Sequence, residues 1–211
     1  MSSGRGPNPS FSYDGAYHSF KNVAVVPKPY QKPTPPIRIA ASTPTPSRRS
    51  AGAAVFASVR HTSWTALAEQ IRSYHAAWEE AGHPGKGQVF VSAPTYIAET
   101  DERARSEPQE SIMHFYHEQA NLLEGAAKLV DAETAAGRRR AAHAAGSIMM
   151  KPWGTNALVG SPDTIAERLR FLQSEIGLSG ILAELNCGGL IPHDQVVTAM
   201  RLLCEAVKPR F

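Results

Sequence analysis

The chain has 211 residues, of which 42% are hydrophobic and 19% charged, and its formal net charge is +3. These values are ordinary for a globular protein, and so small and scattered a basic excess predicts no nucleic-acid surface. The two cysteines make no disulfide framework, and no apolar run approaches the about 18 residues that span a bilayer. We therefore predict a cytoplasmic protein that binds neither nucleic acid nor membrane.

The amino-terminal region divides into a leader and the start of a domain. Residues 1–10 are rich in Gly, Pro, Ser and Asn, which predicts disorder, and residues 11–211 are predicted to form one domain. The domain begins with an aromatic stretch in which Asp14 and Gly15 are a hairpin signal, followed by a short strand at 22–26. A small hairpin is the expected structure.

A proline-rich stretch, Pro27 to Gly52, leads into the rest of the chain. Its prolines hold the backbone extended, and the mostly apolar run 36–41 predicts a strand buried on both faces, as in a parallel sheet. Four hydroxyl side chains follow within six residues: Ser42, Thr43 and Thr45 precede a short helix predicted at 46–51, and Ser47 lies at its start. Hydroxyls between a strand and a helix are typical of an anion site at the carboxyl end of a strand.

Strands and helices alternate from this point to the carboxyl terminus. Apolar runs predict four strands, at 36–41, 53–59, 88–98 and 180–185. Helical periodicity separates them, and residues 147–159 are predicted to form a long loop. Such alternation predicts parallel strands with right-handed crossovers. Four strands are half of an eight-stranded (β/α) barrel, which needs about 250 residues.

Local signals mark the ends of several helices. Thr100 to Glu102 predicts the start of a helix that Pro108 interrupts early. Ser161 as N-cap predicts the start of another helix, which Gly177 ends. In the last helix, the spacing of apolar residues predicts four inward side chains: Val196, Met200, Leu203 and Val207.

Three segments carry a resemblance to a known family. The first combines the aromatic hairpin at 11–17 with a Pro-x-Pro-x-Gln-x-Pro-x-Pro-Pro-Ile run at 27–37. The second is the Gly-Ser-Pro-Asp helix start at 160–163, and the third is the turn at 186–192, which leads to Glu-Ala-Val-Lys-Pro-Arg-Phe at 205–211. In this order they resemble the C-terminal part of a bacterial-luciferase-like flavin-dependent monooxygenase, over residues 10 to 211.

The resemblance implies a fold and an activity. The fold would be α/β, the C-terminal half of a TIM (β/α)8-type barrel with about four parallel strands, flanking helices and an N-terminal hairpin. The activity would be that of a monooxygenase or oxidoreductase that acts on a small organic substrate and O₂ as paired donors, with incorporation or reduction of oxygen. Reduced FMN, supplied by a flavin reductase, would be the cofactor, with a deazaflavin as the alternative.

The resemblance also implies positions for the cofactor phosphate. Ser42 and Thr45 match the family's phosphate positions in the turn after the first strand of the barrel series. The same hydroxyls could instead be a plain helix cap. Arg38, on the strand itself, could neutralise the phosphate or lie between the barrel and the helices.

A second group of candidates follows the last strand. Asn186, Gly188 and Gly189 would approach the flavin or the substrate at the carboxyl face of a barrel, although a tight turn needs glycine on its own account. Glu184 could point into the barrel or toward the helices. We assign no catalytic residue, because the family's lie in the preceding half-barrel. No histidine has the partners that a metal site requires.

The resemblance covers only part of the family's barrel, which leaves a second hypothesis open. The chain could be a truncated, non-catalytic fragment that pairs with itself or with a missing half-barrel. Half a barrel has open strand edges and an exposed apolar interior, and both favour association. We accordingly predict a homo-oligomer.

Overall fold

The computed structural model describes residues 10–32, 35–40, 54–58, 64–128 and 157–211. The expected disordered leader, apart from Ser10, and the helix predicted at 46–51 lie outside these ranges. Two compact units are present, one up to Arg38 and the other from Ile39 to Phe211. The prediction of one domain from residue 11 onward stays a prediction.

The first unit contains the predicted hairpin. Strands β1 (Phe11–Asp14) and β2 (Ser19–Val23) pair antiparallel, and Gly15 N–H donates to His18 C=O at 3.1 Å in the connecting turn. The turn follows Asp14 as predicted, but the second strand begins at Ser19 rather than at 22. The reason is the cross-strand pair Tyr13 and Phe20, whose ring centroids lie 6.4 Å apart.

The second unit is built on a sheet whose central strand is β5 (Val89–Ile97). Its other strands are β3 (Arg38–Ala40), β4 (Ala54–Ser58), β6 (Leu158–Gly160) and β7 (Gly180–Glu184). β5 pairs in parallel with β4 and β7 along its first part and with β6 at its carboxyl end. β3 hydrogen-bonds with β4. The α/β class and the four predicted strands are therefore confirmed, and parallel pairing is confirmed for β4, β5 and β7.

Two details of the strand prediction are wrong. Residues 158–160 form β6, although 147–159 was predicted to be loop; Leu158 is fully buried against the core, and this packing holds the short strand on β5. β3 was predicted to be buried on both faces but is exposed throughout, with Ile39 at 38%. The cause is its position, because β4 is its only neighbour among the described strands.

Five α-helices lie in the described part of the chain. They are α1 (Trp64–Glu80), α2 (Asp101–Ser106), α3 (Gln109–Lys128), α4 (Pro162–Ile176) and α5 (His193–Leu202). A π-helical turn (Leu203–Val207) and a 3-10 turn (Lys208–Arg210) continue α5. None of the helices in the described ranges is both long and apolar enough to cross a membrane.

The main core lies on one face of β5. Val89, Val91 and Ala93 point to this face and pack against the apolar sides of α1 and α4. Successive side chains of a strand alternate between the faces, so Ser92 and its even-numbered neighbours point to the other face. The core between the sheet and helices α1 and α4 therefore lies on one face of β5, and Ser92 lies on the other.

One of the four side chains predicted to point inward in the last helix does not, whereas Val196 and Leu203 pack against the core clusters as predicted. Met200 was expected to point inward but is 48% exposed, whereas Ala199 is fully buried against a second cluster that includes Tyr96 and Ile191. A small side chain allows the helix to approach this cluster closely, and a methionine would not fit at the same distance. Val207 is buried as predicted.

The start of α4 is fastened to the start of α2. Ser161 is the N-cap of α4, as predicted, and the left-handed Gly177 ends the helix at φ 73°. Asp101 Oδ1 accepts the Ser161 N–H at 2.6 Å, and its Oδ2 accepts the Thr164 hydroxyl at 3.0 Å. These bonds, the backbone one first, hold the pKa of Asp101 below its ordinary value of 3.8.

Asp101→Asn is expected to lower the free energy of unfolding at neutral pH by about 1–2 kcal/mol. Because the folded-state pKa of Asp101 is depressed, its carboxylate stabilises the fold above the unfolded pKa, and this contribution disappears as pH falls through the folded pKa. The free energy of unfolding, measured with urea at neutral and acidic pH, should therefore fall less on acidification in the variant than in the wild-type protein.

Asp163→Asn is the matched control for this prediction. Asp163 lies in the first turn of α4, but its side chain is 86% exposed and pairs with Arg210 on the surface. Its replacement should change stability by less than about 0.5 kcal/mol. Equal effects of the two variants would contradict the role assigned to Asp101.

Candidate functional site

The turn after β7 contains three of the predicted site residues. The chain leaves β7 at Glu184 and passes through Asn186, Gly188 and Gly189 before α5 begins. Asn186 Oδ1 accepts the Ile191 N–H at 3.2 Å, and Asn186 C=O accepts the Gly189 N–H at 3.1 Å. The side-chain carbonyl of Asn186 therefore holds the shape of the turn.

The two glycines of this turn have different surroundings. Both have positive φ angles, 88° at Gly188 and 75° at Gly189. A Cβ on Gly188 would lie 1.9 Å from the backbone oxygen of Ser111 in α3, whereas a Cβ on Gly189 would meet nothing within 4 Å. Gly188 is thus required by packing, and Gly189 presents open backbone that a flat ligand can approach closely.

Ser111 joins α3 to this turn and was not identified from the sequence. Its side chain is buried; the hydroxyl donates to Cys187 C=O at 2.5 Å and accepts the Leu190 N–H at 3.0 Å. No local signal marks this residue, because a serine on a helix is unremarkable until its tertiary partner is known. It fixes the turn between β7 and α5 at both ends.

A polar cluster lies where β5 and β7 run side by side. Glu184 Oε1 accepts the Ser92 hydroxyl, and Glu184 Oε2 accepts the Cys187 thiol at 3.2 Å. Ser92 is 3% exposed and Cys187 7%, while Glu184 is half-buried. The sequence did not decide whether the Glu184 side chain points into the barrel or toward the helices. In the structure it lies on the face opposite Ile181, which packs against the helix-covered core.

A second polar group closes the carboxyl end of β5. Tyr96 is almost fully buried, and its hydroxyl donates to Glu107 at 2.6 Å. Arg103 donates at 2.7 Å to both Glu107 and Glu99. Burial, followed by the bond to Glu107, raises the pKa of Tyr96, so this phenol stays protonated and ties β5 to α2.

The remaining predicted site residues lie elsewhere or outside the described ranges. Ser42 and Thr45 fall outside them, so their phosphate role remains a prediction. Arg38 is exposed at the start of β3, rather than at a strand's carboxyl end. Within the described ranges, no group of three or more His, Cys, Asp or Glu side chains could hold a metal ion.

An apolar groove of about 650 Å³ follows the outer side of β7. Among the described strands β7 pairs only with β5, so the groove borders its other edge. Its walls come from α4, β7 and the carboxyl-terminal turns, with side chains that include Leu169, Leu182, Leu203, Val207 and Phe211. Leu182 and Phe211 are both more than half exposed.

Three solved structures with the same fold are longer than this chain. A monooxygenase from Streptomyces bottropensis, RslO1, matches with a TM-score of 0.67 and 21% identity over 97% of this chain and 57% of its own. The oxygenating constituent of 3,6-diketocamphane monooxygenase from Pseudomonas putida, in complex with FMN, matches with a TM-score of 0.65 and 21% identity over 96% and 58%. The coenzyme F420-dependent tetrahydromethanopterin reductase from Methanopyrus kandleri has a TM-score of 0.60 and 13% identity over 94% and 57%.

The chain thus spans a little under three fifths of the length of each of these proteins. No curated protein matches it. The family model described as luciferase-like monooxygenase matches residues 5–178, which is most of the chain and includes β1 to α4. The chain therefore belongs to the luciferase-like monooxygenase family.

Proposed function

We propose that the chain serves a flavin-dependent monooxygenase or oxidoreductase reaction, with a small organic substrate and O₂ as the paired reactants. The observation that carries the proposal is the turn at 186–189, which lies at the carboxyl ends of two parallel strands and exposes the backbone of Gly189. Ligand sites of parallel α/β folds are found at this end of the strands. Family membership supports the choice of reaction class.

The residues fit a flavin in part. A Cβ at Gly189 would meet nothing within 4 Å, so a planar ring would be able to approach this backbone, and the hydrogen bonds of Asn186 keep the turn in place. Ser42 and Thr45 would donate to the phosphate, with Arg38 as a counter-charge. When bound, the flavin would supply the redox chemistry with O₂. The chain's own residues would bind and orient it and limit the access of water.

FMN is the cofactor we favour, and a deazaflavin is the alternative. One structural relative was solved with FMN, and another uses F420. A separate flavin reductase would deliver the reduced cofactor in the cytoplasm. The four strands β3, β4, β5 and β7 would form the C-terminal half of a (β/α)8 barrel.

Purified protein should quench the fluorescence of FMN in a saturable way, and Ser42→Ala should weaken this binding about tenfold or more through loss of a charge-assisted hydrogen bond. The same titration with riboflavin, which lacks the phosphate, shows whether Ser42 contacts the phosphate or caps a helix. A phosphate contact predicts that the variant loses affinity for FMN only, whereas a lost cap predicts similar losses for both ligands.

Ser73→Ala is the control variant for this titration. The Ser73 hydroxyl is exposed and donates to Glu69 C=O within α1, so its loss should leave FMN affinity unchanged. Absence of any fluorescence change at near-millimolar FMN would contradict cofactor binding. Coenzyme F420 in the same titration decides between the two cofactor classes.

A second candidate function is non-catalytic, in which the chain is a fragment that pairs with itself or with a chain carrying the other half-barrel. The groove beside β7 favours it, because this edge of β7 has no partner among the described strands and lies next to exposed apolar side chains, which promotes association. This candidate predicts dimers or larger assemblies in size-exclusion chromatography with light scattering. A monomer that unfolds cooperatively would count against it.

A further inference from the structure

One histidine in the packed region of the molecule has no polar partner. His75 lies on α1, and both of its ring nitrogens are shielded from solvent and make no hydrogen bond within the described ranges. This is uncommon in folded proteins, because a polar atom that loses its water on folding normally gains a partner. The reaction proposed above gives this ring no role.

We propose that His75 is an acid-sensitive contact between α1 and the carboxyl end of α4. The ring stays neutral while the two helices are packed together, and its protonation loosens the end of α4. The inference goes beyond the proposed function, because it concerns the helix-covered side of the sheet and involves no cofactor or substrate.

The His75 ring lies against the residue that ends α4. A Cβ on Gly177, the left-handed residue at this position, would lie 3.3 Å from Nε2 of His75. The buried side chains of Tyr74 on α1 and Ile176 on α4 belong to the same core cluster, so the two helices are in contact around the ring. Since glycine has no side chain, it leaves room for the imidazole but supplies no side-chain acceptor for its N–H.

The charges around the ring do not favour its protonated form. Burial first, and then the positive charge of Lys86 in the turn after α1, hold the pKa of His75 below its ordinary value of 6.5. The negative end of the α4 dipole acts in the opposite direction, but no backbone carbonyl in the described part of the chain accepts a hydrogen bond from the ring. The other charged residues closest along the chain to His75 or to Gly177 are Arg72, Glu79 and Glu175.

Protonation would place a positive charge in this contact, with two N–H donors and no acceptor. An imidazolium without a partner must reach water, so the ring has to turn outward and leave the space beside Gly177 empty. The end of α4 then loses packing on that side. The loosening should stop at Ser179, because its N–H donates to Val89 C=O at 2.8 Å and fastens the chain to the start of β5.

The first test compares the pH dependence of stability in the wild type and in His75→Phe. Because the folded-state pKa is lowered, the folded state is weakened as pH falls below the unfolded-state value of 6.5, and the loss continues down to the folded-state pKa. In that range, the folding equilibrium constant of the wild type relative to the variant should fall about tenfold per pH unit. Urea unfolding in steps from neutral to acidic pH measures this ratio, and a constant ratio would overturn the proposal.

Two further variants keep this test decisive. His75→Gln covers the case in which a phenyl ring does not fit; glutamine cannot be protonated, so it should reduce the acid dependence in the same way. His117→Gln is the matched control, because this imidazole is exposed on α3 and the variant should keep the acid dependence of the wild type. An equal reduction in His75→Gln and His117→Gln would contradict a special role for His75.

The second test separates a local loosening from unfolding of the whole protein. Amide hydrogen exchange is followed at both ends of α4: the Gly177 N–H donates to Gln173 C=O at 3.1 Å, and the Ile165 N–H donates to Ser161 C=O at 2.9 Å. On acidification, the protection factor of Gly177 in the wild type should fall several-fold more than that of Ile165.

The same exchange experiment on His75→Phe completes the comparison. Without a titratable ring, acid should change the protection factors of Gly177 and Ile165 by the same factor. An equal fall at both ends in the wild type would show that acid acts on the whole fold and would overturn the local contact. Neither test needs a cofactor, so the results do not depend on whether the protein binds FMN.

Discussion

Gly188→Ala is expected to destabilise the folded protein by about 4 kcal/mol or more, which is among the largest effects of single substitutions. The added Cβ would lie 1.9 Å from the backbone oxygen of Ser111, and backbone cannot yield as a flexible side chain can. The residue also has a φ of 88°, where any side chain is strained. Relief would require α3 to move away from the turn, with loss of the bonds that Ser111 makes.

Gly189→Ala separates these two causes. Its φ of 75° brings the same type of strain, but a Cβ there meets nothing within 4 Å. We expect a loss of only about 1–2 kcal/mol for this variant. Urea unfolding of both proteins gives the comparison, and equal losses would contradict the packing explanation.

The Gly189 variant also bears on the site. An added methyl group would occupy the open space over this part of the turn. The affinity of the folded variant for FMN should therefore fall, in addition to the loss in the free energy of unfolding. Fluorescence titration of the folded variant measures this. Unchanged FMN affinity in Gly189→Ala would remove the turn from the cofactor site, although FMN could still bind elsewhere.

Ile165→Ala is the second substitution with a large expected effect, a loss of about 2–5 kcal/mol. Ile165 is fully buried between α4 and the core face of β5. Truncation removes three carbon atoms and leaves a cavity in a tightly packed region, so the lost transfer energy and the cavity both contribute. Thermal and urea unfolding should show the loss with no change in FMN binding per folded molecule.

Phe171→Ala is the matched control on the same helix. The Phe171 ring is 61% exposed, so its truncation removes little buried surface, and we expect a change of less than about 0.5 kcal/mol. Since α4 carries both residues, helix propensity affects the two variants in the same direction. A loss for Phe171→Ala comparable to that of Ile165→Ala would mean that the outer face of α4 is covered in solution.

Local chemistry explains which parts of the fold were predictable. The ends of α4 follow from Ser161 and Gly177, because a hydroxyl N-cap and a left-handed glycine act on backbone groups only a few residues away. The start of α2 at Thr100 follows in the same way. Strand β5 could be predicted from its long apolar run, because such a run is buried whichever strands lie beside it.

Burial of short segments could not be predicted, because it depends on what packs against them. β3 is as apolar in sequence as an interior strand, yet its outer position leaves Ile39 exposed. β6 has three residues and is a strand only because the carboxyl end of β5 is beside it. Ala199, rather than Met200, is buried because the helix comes close to Tyr96.

The sequence by itself determined the α/β class, the alternating elements and a glycine turn after the last strand, since each depends on local pattern. Only the tertiary structure decided which glycine is open and which is packed, because Ser111 lies 77 residues before Gly188. It also brought Ser92 to Glu184, which are 92 residues apart. The physical reason is the parallel pairing of β5 with β7, which places side chains from distant positions on one face of one sheet.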